Sequence, residues 1–476
     1  MDIFLKNKNK KYQFILSFIS AIIYQIGFAI ITVSCSLTVY FLSYIHYKQT
    51  WVDMNYGNLM RPVFLLFLGL FAPLSGTMDN YFGPRRTVII SSIVVEIVFF
   101  FLYFQRNLWL FYLLTLLLGM GNGLSMQVLI KNSCQYYPNK KGLISSLINS
   151  IGTLFGSLYT FLGEFIINPE RKSVINSQKA PYYSEEISEK SRNFFLFAMI
   201  LIPITIIISV LLLYRYDPSC DKNIYIEKLN VNGSLNIEGE ERTFNTSNSI
   251  SKPFRKSDIK LVLGNFRFWR TLLIIGVMPF IIGFISATSR PYSVMLGVNG
   301  KVIGYLVGTI NILGCITSPI WAFCVDKFGF RPIMLIISCI TIALSIYFFI
   351  FMNSPSFYVF GLYISSSLRG GIISSLIPHM MEVYGLKYFL ILGGIGRTFI
   401  QLFSFGAAGT SIIISIFRKG KDQLLLPYRI VSFISIFFAV FGLILTFYEN
   451  DKKFKYEVNE NETNNIFMEL GESKEE

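Results

Sequence analysis

The sequence predicts an all-α integral membrane protein with twelve transmembrane helices arranged in two six-helix bundles. Hydrophobic residues make up 53% of its 476 residues and charged residues only 15%, and the mean hydropathy is +0.53. This composition is far more apolar than that of a soluble domain. Twelve apolar stretches are each long enough to cross a hydrocarbon core of about 30 Å as a helix. A polar segment separates the first six stretches from the last six.

These stretches are unbroken apolar runs, unlike the short alternating segments of a β-barrel. The twelve spans are predicted at 14–41, 57–78, 87–105, 108–131, 142–167, 193–214, 268–290, 302–325, 332–352, 355–381, 388–415 and 428–448. They divide the chain into an N-terminal bundle (1–214), a cytoplasmic linker (215–266), a C-terminal bundle (267–448) and a cytoplasmic tail (449–476). The linker is too poor in large apolar residues to fold independently, so we expect it to be largely disordered.

The distribution of cations predicts that both termini lie in the cytoplasm. With the N-terminus inside, the majority of Lys and Arg, including the pair Arg85 and Arg86, falls in loops on that side. Two exterior connections, around Arg171 and around Lys419, run against this trend. The net charge of +14 therefore indicates orientation in a lipid bilayer and not a nucleic-acid partner. We expect a multi-pass protein of the plasma membrane, or alternatively of an organelle, that functions as a monomer.

A short pattern recurs after the second and the eighth predicted spans. At equal spacing, the first copy has Pro73, Asn80, Phe82, Gly83 and Arg85, and the second has Pro319, Asp326, Phe328, Gly329 and Arg331. Such internal repetition is typical of transporters built from two related bundles. The segment GTMDNYFGPRR, Gly76 to Arg86, is predicted to be the hinge between spans two and three, with glycines that allow tight turns.

The repeated segment resembles the G-x-x-x-D-[RK]-x-G-x-R loop of the major facilitator superfamily. The candidate gating residues implied by this resemblance are Gly76, Asp79, Asn80, Gly83, Arg85 and Arg86 in the first copy and Asp326, Gly329 and Arg331 in the second. The first copy departs from the pattern, because Asn80 occupies the acidic position and Asp79 lies one residue earlier. If the inner gate needs that carboxylate, Asp326 should matter more than Asn80.

Two further stretches are similar to the monocarboxylate porters and oxalate/formate antiporters of that superfamily. YYPNKKGLISSLINSIGTLFG, at 136–156, resembles their entry to span five, and GGIISSLIPHMMEVYG, at 370–385, resembles their span ten. The resemblance implies transport of a small organic monocarboxylate by alternating access, either with protons or by anion exchange. Possible substrates are lactate, pyruvate, oxalate, formate and pantothenate. The last is included because the Ile-, Phe-, Asn- and Lys-rich composition resembles that of apicomplexan proteins.

Two arginines within predicted spans are the candidate substrate-binding residues. Arg397 in span eleven would offer a planar set of donors that suits a carboxylate in a partly dehydrated cavity. Arg369 in span ten is a weaker candidate, because the glycines after it point to helix packing. Alternatively, each arginine pairs with a buried acid or carbonyl. Glu96 and Glu164 are candidate proton sites or charge partners of a cation such as Arg369.

Five further residues are candidates for lining the transport pathway, namely Gln25, Gln127, Asn149, Asn311 and Arg290. Each amide is equally suited to an interhelical hydrogen bond, and Arg290 to anchoring at the membrane interface. The chain has no HExxH, GxSxG or P-loop pattern and only two histidines, so we expect neither an enzyme nor a metal or cofactor site. The alternative function is a transporter-like nutrient receptor that binds its ligand without moving it.

Overall fold

Long α-helices dominate the structure, a computed structural model that describes residues 10–52, 56–170, 175–176, 181–216, 256–296, 300–417 and 425–449. The helices of the first half are α1 (Lys10–Ser36), α2 (Thr38–Lys48), α3 (Gly57–Phe71), α4 (Leu74–Phe104), α5 (Leu108–Tyr136), α6 (Lys141–Ile167) and α7 (Glu185–Leu212). Between α6 and α7, the two-residue strands β1 (Ile175–Asn176) and β2 (Pro181–Tyr182) pair in antiparallel fashion.

The second half repeats this arrangement of helices. Its helices are α8 (Lys256–Leu263), α9 (Phe266–Val277), α10 (Phe280–Met295), α11 (Gly300–Phe328), α12 (Phe330–Phe351), α13 (Pro355–Val383), α14 (Phe389–Phe417) and α15 (Leu425–Phe447). Ten of the described helical segments are long and apolar enough to cross a membrane, and α3 contributes a shorter apolar stretch, Leu59–Phe71. Together with α13, a helix of 29 residues, these segments make six crossings in each half, and the predicted all-α membrane fold is confirmed.

Two of the predicted spans are each divided into two helices by a break in the backbone. The first predicted span, 14–41, is divided at Leu37 into α1 and α2. The seventh, 268–290, is divided at Met278 and Pro279 into α9 and α10, because the ring of Pro279 removes a backbone donor and crowds the preceding turn. Apolar composition alone gives no sign of such bends.

The predicted hinge, GTMDNYFGPRR, is mostly helical. Helix α4 continues through Gly76 and is interrupted only at Gly83, whose φ of 77° and ψ of 168° are accessible almost solely to glycine. Gly76 serves close packing and not a turn, since a Cβ there would lie 2.6 Å from Ile391 Cγ1. Gly329 in the second copy has nearly the same conformation, φ 89° and ψ 169°. Both copies therefore place one backbone break at the same point.

The two halves meet mainly along two pairs of helices. In the first half α4 packs on α5 and α1 on α6, and in the second half α11 packs on α13 and α12 on α15. Across the interface, α6 packs against α11 and α3 against α14. Most of the predicted linker and all but the first residue of the predicted tail lie outside the described residues.

Candidate functional site

A cavity of about 200 Å³ lies between the two halves. Helices α1, α3, α5 and α6 line it from the first half, and α11, α13 and α14 line it from the second. Apolar side chains such as Phe28, Leu65 and Ile373 form part of its wall. A smaller pocket of about 40 Å³ adjoins it beside the break between α9 and α10. The cavity therefore occupies the position where both halves can act on one bound molecule.

Three arginines line this cavity. The predicted residues Arg369, on α13, and Arg397, on α14, lie in its wall, together with Arg61 on α3, which was not predicted. Arg369 donates a long hydrogen bond of 3.5 Å to Ser286 Oγ, and the charges of Arg61 and Arg397 act on it repulsively. Like charges gathered in a partly dehydrated space attract an anion strongly.

Close helix packing fixes the positions of the two predicted arginines. A Cβ at Gly370 would lie 3.2 Å from the Gly314 carbonyl oxygen, so α13 approaches α11 closely beside Arg369. Thr398, the residue after Arg397, donates its hydroxyl hydrogen to the Gly69 carbonyl oxygen at 2.7 Å and joins α14 to α3. The glycines after Arg369 thus serve packing, as the sequence suggested, and the arginine itself still reaches the cavity.

Most of the predicted polar residues also line the cavity. Gln25, Asn149 and Asn311 are wall residues. Gln127 is buried, with 2% of its surface exposed, but it lies outside the wall, which Asn122 reaches from the same helix. Because Gln127 follows Asn122 by five residues, it projects from a different face of α5. The side chain of Arg290 lies outside the described residues.

The two predicted acids do not line the cavity. Glu96 on α4 and Glu164 on α6 are not among the cavity-lining residues. Within the described part of the chain, Glu96 Oε2 is buried without a hydrogen-bond partner. The described side-chain hydrogen bond of Arg369 is with Ser286, so the pairing of either acid with Arg369 stays a prediction. The possible proton role of Glu96 and Glu164 stays a prediction.

The end of the bundles that carries Asp79 and Asp326, here called the motif end, is closed by contacts between the halves. Asp326 Oδ1 accepts a hydrogen bond from Gly142 N at 3.1 Å, and Oδ2 accepts one from Leu143 N at 3.0 Å. Both donors belong to the first turn of α6, whose positive dipole end favours a carboxylate. The second copy of the motif therefore contacts the opposite bundle directly.

The described charge contacts of the first copy lie within its own bundle. Asp79 Oδ2 forms an ion pair with Lys131 Nζ at 2.8 Å, and Arg85 Nε donates to the Leu213 carbonyl oxygen at 2.7 Å. The remaining charged or polar motif residues, Asn80, Arg86 and Arg331, are exposed. The displaced acid of the first copy thus joins α4 to α5 and not to the second half.

Comparison with known proteins gives a family and a fold. A sequence model of the Major Facilitator Superfamily matches residues 14–388, which span both halves. Among solved structures, the chain is similar to the MFS proton:xylose symporter XylE bound to 6-bromo-6-deoxy-D-glucose, with a TM-score of 0.59. The sequences are 13% identical, and the alignment covers 91% of this chain and 94% of XylE. No curated protein matches the sequence. The chain belongs to the Major Facilitator Superfamily.

Proposed function

We propose that this chain is a secondary active transporter that moves a small organic monocarboxylate across a membrane by alternating access. The observation that supports the proposal is the convergence of Arg61, Arg369 and Arg397 on one cavity between the two bundles. A guanidinium group presents two parallel N–H donors to a carboxylate, and the pairing gains strength where water is scarce. Candidate substrates are the monocarboxylates lactate, pyruvate, formate and pantothenate, together with the dicarboxylate oxalate.

The arrangement of the cavity and the motif end suits an alternating-access cycle. Contacts of Asp326 with α6 and of Thr398 with Gly69 hold the two halves together on one side of the cavity. Rocking of one bundle against the other would break these contacts and expose the cavity to that side. With both termini in the cytoplasm, as the cation distribution predicts, the motif end faces the cytoplasm. Movement of the anion is coupled to protons or to exchange for a second anion.

The charge of the cavity favours a carboxylate over a neutral sugar. The structural neighbour XylE is named as a proton:xylose symporter, but at 13% identity this likeness carries no information on substrate. A sugar brings no charge to offset those of Arg369 and Arg397 in a partly dehydrated space. An anion neutralises part of that charge, so it binds there at lower electrostatic cost.

Counterflow in proteoliposomes tests the proposal. The purified chain is reconstituted, and exchange of labelled lactate, oxalate, pantothenate and xylose is measured with and without a pH gradient. We expect Arg397→Ala to abolish carboxylate exchange and Arg397→Lys to retain part of it, because lysine keeps the charge without the paired donors. Arg106→Ala is the matched control, since Arg106 is exposed and lies between α4 and α5.

Three outcomes would contradict the proposal. Normal exchange by Arg397→Ala would remove this residue from the binding site. If xylose accumulates and none of the arginine variants affects its accumulation, the substrate is neutral and not a carboxylate. Binding of a carboxylate without counterflow would identify the chain as a receptor that resembles a transporter.

A further inference from the structure

The central cavity has two chemically different walls. Arg61, Arg369 and Arg397 lie on α3, α13 and α14, and α14 packs against both of the other helices. We call these three residues the arginine wall. Gln25 on α1 and Asn149 on α6 also line the cavity, and α1 packs against α6. We call these two residues the amide wall.

The amide wall has hydrogen-bonding groups that the described protein does not use. Gln25 has only 6% of its surface exposed, and its Nε2 is buried without a hydrogen-bond partner in the described part of the chain. Asn149 Nδ2 and Oδ1 are both buried and equally unpartnered there. Buried polar groups in native structures are almost always satisfied by protein, water or ligand, and an unsatisfied one is costly. Side chains that line a cavity in this state point to a polar molecule within it.

The two amides act on the same part of the cavity. A Cβ at Gly152 would lie 3.0 Å from Gln25 Oε1, so the end of the glutamine side chain rests on α6 at Gly152. Asn149 precedes Gly152 by three residues and therefore projects from the same face of α6. The absence of a side chain at Gly152 gives the Gln25 amide its space beside Asn149.

We propose that the cavity selects an anion with two distinct ends: a carboxylate held by the arginine wall and an uncharged amide or hydroxyl arm held by Gln25 and Asn149. This inference rests on the proposed function and specifies its substrate class. Asn149 offers one acceptor and two donors, and Gln25 offers two further donors, so the amide wall suits a peptide-like amide or a hydroxylated chain. An apolar arm would bury these groups without partners.

Two carboxylates of the same shape can show whether the cavity prefers a polar or an apolar arm. N-acetylglycine and 4-methylpentanoate have equal numbers of non-hydrogen atoms and the same branching, but only the first has an amide arm. Their dissociation constants are measured by calorimetry on the purified full-length protein, together with that of glutarate, which has a second carboxylate. We expect N-acetylglycine to bind about 10- to 100-fold more tightly than 4-methylpentanoate, because the latter leaves buried amides unsatisfied.

Variants of the amide wall test its role directly. Asn149→Leu and Gln25→Met keep side-chain size and remove hydrogen-bonding groups that have no described protein partner, so we expect both variants to fold. Each should lower the preference for N-acetylglycine by about 3- to 10-fold and leave 4-methylpentanoate binding unchanged or stronger. Gly152→Ala should also lower the preference for N-acetylglycine, but by less, because the new methyl group displaces the Gln25 amide. Arg369→Ala should weaken both ligands.

The outcomes distinguish this inference from the proposed function. One outcome is that N-acetylglycine and 4-methylpentanoate both bind and that Arg369→Ala weakens the binding of both. If the ratio of their dissociation constants is then unchanged in Asn149→Leu and Gln25→Met, the amide wall has no role in selection. Only the transport proposal would stand in that case. If glutarate binds more tightly than N-acetylglycine and the amide variants do not affect its binding, the second end of the substrate is an anionic group and not an uncharged polar arm. Failure of all three ligands to bind would overturn both proposals.

Discussion

The two copies of the repeated motif have the same backbone conformation at their glycine, but their acidic side chains bind different partners. Gly83 and Gly329 have almost the same dihedral angles, φ 77° and ψ 168° against φ 89° and ψ 169°. Asp326 accepts two backbone hydrogen bonds from α6 in the opposite bundle. Asp79, displaced by one residue from the corresponding position, pairs with Lys131 within its own bundle. The acid of the second copy therefore joins the halves, whereas the acid of the first copy stabilises a single half.

The two acids therefore serve different purposes: one stabilises the closed state of the motif end, and the other stabilises the fold of one bundle. A contact across the interface affects the balance between closed and open states, because it exists only while the motif end is closed. A contact within one bundle persists when the bundles move as rigid bodies, so it adds stability without favouring either state. We therefore expect variants of the two acids to differ in kind as well as in size.

The largest effect is expected for Asp326→Ala. Loss of two hydrogen bonds from a carboxylate to the start of α6 should destabilise the closed motif end by about 3 kcal/mol, or roughly a hundredfold in population. Substrate exchange in proteoliposomes should fall, because the carrier closes this end less often. Hydrogen exchange of a peptide covering 138–150 should rise, since Gly142 N and Leu143 N lose their acceptor.

Asp326→Asn provides the graded control for this prediction. Its amide oxygen can still accept one of the two bonds, so both readouts should lie between those of the wild type and Asp326→Ala. Unchanged hydrogen exchange at the start of α6 in both variants would show that the carboxylate does not hold the closed state.

Asp79→Asn should reduce stability more than it reduces transport. The Asp79 and Lys131 side chains are only 10% and 13% exposed, and removal of one charge leaves the other poorly solvated, at a cost of about 2 kcal/mol. We expect a lower unfolding temperature of the purified protein, exchange within about threefold of wild type, and unaltered hydrogen exchange at 138–150. The double variant Asp79→Asn with Lys131→Met should recover much of the lost stability. Transport losses equal to those of Asp326→Asn would contradict the asymmetry.

Gly83→Ala and Gly329→Ala should, by contrast, have equal effects. Each glycine has a conformation that a side chain makes unfavourable, with a cost of about 1.5 kcal/mol. At Gly83 there is space for a methyl group, because the nearest neighbouring atom that a Cβ would meet is Arg215 Nη1 at 4.0 Å, so this cost comes from the backbone alone. Unfolding temperatures of the two variants measure it. A much larger loss for one variant would show that the copies differ in backbone as well as in charge.

The sequence was sufficient to predict the fold because its spans are long and apolar, but the site depends on which helix faces meet. Arg369 and Arg397 could be predicted, since a cation near the middle of an apolar span is rare and costly. Arg61 was missed because it lies only four residues after Gly57, the first residue of α3, where an arginine is expected to reach the membrane surface. Gln127 was predicted and Asn122 was not, because the polar residues of α5 do not gather on one face, so its sequence does not identify the face that lines the cavity.

The smallest effect is expected for Asn80→Asp, which gives the first copy the acid that the second copy has. Gly76 packs against Leu390 and Ile391 at the start of α14, and Asn80 lies one helical turn further along the same face of α4. A carboxylate there would approach the N-terminal end of α14 as Asp326 approaches α6, and charges at helix ends contribute about 0.5 kcal/mol when exposed. We therefore expect the closed motif end to gain about twofold in population and hydrogen exchange near 388–392 to slow slightly.

The double variant Asp326→Ala with Asn80→Asp tests whether both positions act on one equilibrium. If they do, Asn80→Asp should recover part of the substrate exchange that Asp326→Ala loses. If Asn80→Asp changes neither the wild type nor Asp326→Ala, a carboxylate at position 80 does not contribute to closing the motif end.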